Sequence, residues 1–344
     1  MEEKRELIPV EDAPAKGKMT IEEYEKKYSS KGGFASAKAI LFLLVAGLGI
    51  IIACAEVLVV VKLFEFNQIV GYVGIGVAVL IFIFLYILPI VKIARLPAFK
   101  TDVTRENAGA AKRHNRKMRR EIADKMIEIY ANTEKLDWYR EEAMGKLALA
   151  RQSNDDEALK KALTEIYNVD VKNKAWSTIR AYAVQIGLFT ALSQSEHIDT
   201  MVVALFELNL IKRIVYLFGF RPSEQRLLRI YGAVVRNSLI AYGVSSVGSN
   251  IAASIAQTIG GVVEQIPILG ALVSAVIDSA SQGMINATMT VILGAQTLHY
   301  LKKEYHLQDI LDNIEVEEES ETEVIEAVNK EIRKGIKERK AKPA

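Results

Sequence analysis

The chain has 344 residues, half of them apolar and a quarter charged, with a formal charge of +2. Bulk charge therefore selects no polyanionic partner, and the length allows two domains. A single cysteine, Cys54, excludes an intrachain disulfide framework and any cysteine-based zinc site.

Residues 1–38 are polar and mixed in charge, without the apolar stretch of a secretory signal, so the first hydrophobic segment is expected to stay in place as an anchor. From Ala39 to Val61 the only charge is Glu56, and Ile69 to Val91 carries none. Each run would extend about 35 Å as a helix, enough for a hydrocarbon core of about 30 Å. Only residues 62–68 separate them, which predicts a tight transmembrane hairpin over 39–97. Lys26, Lys27, Lys31 and Lys38 precede it, and Lys92, Arg95, Lys100 and Arg105 follow it. The positive-inside rule then expects both termini in the cytoplasm and the protein in the inner membrane. Glu56 is read as turned toward Lys62 or the headgroups, with a proton or ion relay as the other reading of an intramembrane carboxylate. Gly47, Gly49, Gly71, Gly74 and Gly76 allow close helix approach, Pro89 bends the second span, and Pro97 ends it.

Residues 98–170 form a basic-to-mixed helical region. Lys112, Arg113, Arg116, Lys117, Arg119 and Arg120 follow the membrane exit closely and are candidate contacts for anionic lipid headgroups. No helix-turn-helix, stacking platform or zinc finger accompanies them, so nucleic acid is not expected as a partner. Asn154-Asp155-Asp156 marks a break, with Asp156 the expected cap of the next helix.

From Val171 the apolar content rises, and a helical domain is expected over 171–306. Ala175–Leu192 and Ile198–Phe218 read as helices; Gly219 is a stop, and Ser223 opens a helix through Tyr242. Ala271, Ala275, Ser279, Gly283 and Ala287 recur every four residues as a helix-packing stripe. Ile266–Leu298 holds one charge, Asp278, but many Ser, Thr, Asn and Gln residues, so it is expected to be buried or apposed to the membrane rather than to cross it. Ile230–Ile251 is a weaker candidate span, because Arg236 and Asn237 lie inside it. Residues 307–344 are acidic and then basic, with Val324, Ile325, Val328 and Ile332 at helical spacing, and read as a solvated helical tail.

No P-loop, no nucleophile elbow and no set of metal ligands appears; His299 and His306 are read as solvated. The chain is therefore expected to be an all-α membrane protein, not an enzyme, and to need no cofactor.

The run from His197 to Gly243 resembles the domain of YcjF-like inner-membrane proteins. Asp199, Lys212-Arg213, Gly219, Arg221-Pro222 and Leu227-Leu228 stand at the positions of that pattern, and Gln282-Gly283 fits its later part. The likeness covers about residues 175–305. It implies a helical domain of uncharacterised function, found beside P-loop GTPases of the YcjX type or fused behind Era-like GTPase domains. No catalytic residue comes with it; Gly219 and Pro222 would make a turn, and Asp199 would cap a helix. The leading expectation is a membrane-anchored scaffold or adaptor that recruits or regulates a cytoplasmic partner, with a P-loop GTPase as the candidate. Two alternatives stay open: an oligomeric pore or membrane-remodelling protein built on the small-residue stripe, and an ion- or proton-coupled transporter around Glu56 and Asp278.

Overall fold

The computed structural model describes residues 19–28, 34–132, 138–193, 196–243 and 282–314. Most of these residues are helical, joined by short connections such as 96–104 and 219–223, and none lies in a strand. A short amphipathic helix, α1 (Ile21–Tyr28), comes first and is capped reciprocally by Thr20 and Glu23. Its Ile21 and Tyr24 pack on Val103, Ala108, Leu307 and Leu311, so part of the polar N-terminal segment docks on the body of the protein.

The hairpin follows as α2 (Phe34–Phe66) and α3 (Gln68–Ile81), which continues through a π-helical stretch, Phe82–Ile87, into α4 (Leu88–Arg95). Asn67 makes the turn: its side chain accepts from the amides of Ile69 (2.8 Å) and Val70 (3.4 Å), satisfying donors that a helix start leaves open. The Tyr86 hydroxyl donates across the hairpin to the Val45 carbonyl. Pro89 cannot offer an amide to the carbonyl of Leu85, its partner one turn back. The Asn209 side chain donates there instead, at 3.1 Å.

Below the hairpin come α5 (Ala108–Asn132), α6 (Glu141–Gln152) and α7 (Asp156–Ile166). A π-helical turn, Tyr167–Val171, leads into α8 (Lys172–Leu192), followed by α9 (Glu196–Phe218), α10 (Glu224–Gly243) and α11 (Gln282–Asp312). Gly219 sits at φ +75 between α9 and α10, a left-handed position where a side chain is strained. At that turn the Arg221 amide donates to the Pro97 carbonyl at 2.8 Å, fixing the turn against the hairpin exit. Phe99, Tyr167, Phe218, Phe220 and Tyr305 interlock beside it, with ring centroids of 4.8 Å for Phe99–Phe220 and 5.1 Å for Tyr167–Phe218.

Helices α8 and α11 approach closely because Gly187 and Gly283 face each other. A Cβ on Gly283 would sit 2.7 Å from that of Ala191. Gly283 and Ala287 of the expected stripe thus pack inside the subunit; Ala271, Ala275 and Ser279, with Asp278 and the tail beyond Ile314, lie outside the described residues. One hydrophobic core joins the domains: Leu48, Ile52, Tyr86 and Ile93 of the hairpin belong to the same cluster as Met118, Leu163, Phe218 and Leu301.

Candidate functional site

The sequence expectations meet the structure unevenly. Asp155, not Asp156, caps α7, accepting from the amides of Glu157 and Ala158 at 3.0 Å. Asp156 instead receives Arg119 at 2.8 Å, because α5 brings that guanidinium alongside. Arg119 is fully buried; it also reaches Asp312 at 2.6 Å and Gln308, and so fastens α5 to α7 and α11. This corrects its assignment as a headgroup contact. Lys112 also turns inward, to the carbonyls of Asp312 and Ile314, and Arg120 is half-buried. Arg113, Arg116 and Lys117 remain exposed, Arg116 with Asp156 at 3.3 Å.

Of the resemblance positions, Gly219, Arg221 and Pro222 lie at the hairpin exit, with Lys212 and Arg213 close by. Arg221 pairs with Glu224 at 3.0 Å, and Pro222 is buried. Lys212 donates to Asn209 at 2.6 Å, and Arg213 lies 5.5 Å over the Tyr182 ring. Asp199 is buried in the first turn of α9, three residues after Glu196. Glu56 differs from expectation as well. It is buried in α2, forms no pair with Lys62, and its Oε1 has no hydrogen-bond partner.

The most unusual chemistry lies where three helices of the bundle meet, at a carboxylate the sequence did not single out. Glu207 on α9 is fully buried. Its Oε1 accepts from Asn237 Nδ2 of α10 at 2.8 Å and faces Thr290 Oγ1 of α11 at 3.3 Å. Thr290 also donates to the Asn286 carbonyl at 2.8 Å, in the usual helical back-bond, and its one hydroxyl proton cannot serve both acceptors. Glu207 Oε2 and Asn237 Oδ1 have no donor, and half-buried Arg236 lies near enough for its charge to act on the carboxyl. A proton on the carboxyl would supply a donor where Oε2 and Asn237 Oδ1 have none.

A second buried carboxylate, Glu304 on α11, is fully satisfied. It takes Thr101 Oγ1 at 2.7 Å and the Arg226 guanidinium, which ties α11 to α10 and to the hairpin exit. That arrangement is structural. Among the described residues no three His, Cys, Asp or Glu side chains converge in a way that could hold a metal ion.

A signal for the Glu207 site existed in the sequence: Glu207, Asn237 and Thr290 each interrupt an apolar helix face. What the sequence lacked was the pairing that brings the three interruptions together. The family model described as Domain of unknown function (DUF697) matches residues 154–334, beginning at the foot of α7 rather than at Val171. The earlier start agrees with packing, because Leu159, Leu163 and Ile166 share the core of α8–α10. That match is consistent with a YcjF-like family of unknown function. No curated protein and no solved structure matches the chain.

Proposed function

We propose, from the premise that this chain belongs to the family described as Domain of unknown function (DUF697), that it is a membrane-anchored helical scaffold holding a cytoplasmic partner at the inner membrane surface. The observation that carries this reading is the shared core. Leu48, Ile52, Tyr86 and Ile93 pack with the family domain, so the anchor is rigidly joined to it rather than tethered by a linker.

Two helical stretches, Lys38–Phe66 and Gln68–Arg95, are long and apolar enough to cross a bilayer, and only 22% and 11% of their apolar windows are buried. Core helices of a soluble bundle would hide most of such surface; Phe42, Leu43, Ile50 and Tyr72 stand exposed here, a surface suited to acyl chains. Helix α1 docks beside the end of α11, so the chain before the hairpin and the chain after it share one side. The lysines and arginines at the hairpin's open end support a cytoplasmic side there, at the inner membrane. Exposed Arg113, Arg116 and Lys117 then meet anionic headgroups.

The partner class implied by the family resemblance is a P-loop GTPase. Co-flotation with full-chain proteoliposomes tests it: a soluble YcjX-type GTPase should rise with the vesicles and stay at the bottom with empty ones. A GTPase that never floats retires the recruitment reading. The buried Glu207 favours a second reading, proton coupling. Its measurement is proton flux into the same vesicles, present with the native chain and lost in Glu207→Gln.

A further inference from the structure

Three contacts set the depth of the family domain against the hairpin. The Arg221 amide bonds the Pro97 carbonyl just past the hairpin exit. Lys212 lies close enough to Lys92 for the two ammonium groups to repel. Asn209 donates to the Leu85 carbonyl, two turns inside the apolar run that ends at Val91. Residue numbers rise together along both helices at these contacts, so α9 runs parallel to α4, and its residues before Asn209 continue beside the apolar part of the hairpin. Glu196 lies up to about 20 Å beyond Asn209 at the helical rise. On the other side of the hairpin, Gly232 of α10 lies against Leu44 of α2, and α10 continues from there to Gly243.

The side chains at this end agree with that placement. Tyr182 through Leu192 and Gln282 through Leu298 contain no charged residue. Val184, Leu188, Phe189, Leu192, Leu239 and Met284 point outward, with Leu192 82% exposed and Leu188 62%. Water would meet a large apolar patch here, of a kind that soluble surfaces avoid. Asp199 and Glu207 are buried inside the bundle, which is where ionisable groups at bilayer depth are found. Lys92, Arg95, Lys212 and Arg213, with Tyr182 under Arg213, make a cationic and aromatic belt at the level where the apolar surface begins, while Arg236 lies deeper on α10, half-buried.

We propose that the family domain is itself half-embedded: α8 beyond Tyr182, α9 before Asn209, α10 beyond Gly232 and α11 before Leu298 lie at bilayer depth, with acyl chains covering Leu188, Leu192 and Leu239. This rests on the membrane reading of the hairpin and extends it from two helices to a six-helix insertion. Under it, Glu207 is a carboxyl inside the membrane slab, reached from the cytoplasm only through the bundle.

The test uses the full chain with Cys54→Ser, reconstituted in phosphatidylcholine–phosphatidylglycerol vesicles. Single cysteines are placed at exposed positions: Leu188→Cys, Leu192→Cys and Leu239→Cys in the domain, Phe42→Cys in the hairpin, and Leu149→Cys on α6. Each carries an environment-sensitive fluorophore, and lipids brominated on their acyl chains are the quencher. The expected result is quenching at 188, 192 and 239 within about twofold of that at 42, with 149 unquenched. Quenching at 42 alone overturns the embedded domain and leaves the anchor standing. Absence of quenching at 42 and at all three domain sites overturns both. Circular dichroism of each labelled protein confirms that helix content is native.

Discussion

Replacing Glu207 by Gln keeps the side-chain shape while removing a group that must either hold a proton or be buried as a charge. Glu207 Oε1 accepts from Asn237 Nδ2, but Oε2 and Asn237 Oδ1 have no donor, so an ionised carboxyl is buried with one oxygen unsatisfied beside an unsatisfied amide oxygen. Each such orphaned acceptor costs about 1 to 3 kcal/mol. The amide of the Glu207→Gln variant removes the charge and can donate toward Asn237 Oδ1. The expected outcome is a variant about 1 to 3 kcal/mol more stable than the native protein in mild alkali, with the difference shrinking in acid, where the native carboxyl takes a proton, followed by tryptophan fluorescence in detergent. A difference in melting temperature that is flat with pH would refute the reasoning. So would an infrared spectrum in acid in which substitution removes no protonated-carboxyl band.

Arg119→Met removes the buried cation shared by Asp156 and Asp312, leaving them Arg116 at 3.3 Å and Lys160 at 3.9 Å, and should cost about 3 kcal/mol, seen as a lowered melting temperature. Adding Asp312→Asn should recover part of it. Gly283→Ala drives a methyl into Ala191 and the Gly187 backbone and should cost about 1 to 3 kcal/mol, measured in the same way. Arg113→Glu with Lys117→Glu should lower the anionic lipid retained on purification, by about 1 kcal/mol of preference for each cation removed, while the melting temperature holds.

The helices were legible because long apolar runs and punctuating residues are local signals. Pro97 and Gly219 each act on their own neighbours, and the helices before them end at Arg95 and Phe218. Which charges face inward was not legible, because burial is decided by partners distant in sequence. The cluster Lys112–Arg120 reads as a uniform basic surface, yet α5 is amphipathic within it. Arg119 shares a face with Met118 and Ile122 and turns into the core, while Lys117 stays 80% exposed. The general rule for ionisable groups in apolar runs selected Glu56, in the longest run. Glu207 lies in a helix that already carries Asp199, Lys212 and Arg213 and so reads as ordinary amphipathic structure.

Pro89 shows how far the hairpin is specified by the domain beside it. A proline in the first turn of α4 removes the amide that would serve the Leu85 carbonyl, and in an isolated span that acceptor would face hydrocarbon at a cost of several kcal/mol. Asn209 meets this need, but its own placement requires α9 to lie along the second span; Lys212 then anchors Asn209 from one turn below. The neighbouring contact, Tyr86 to Val45, closes the same level of the hairpin, and Tyr231 of α10 packs near it in the common core. An anchor serving only as a tether would be satisfied within itself. This one has a polar group that the family domain completes, so hairpin and domain form one folding unit.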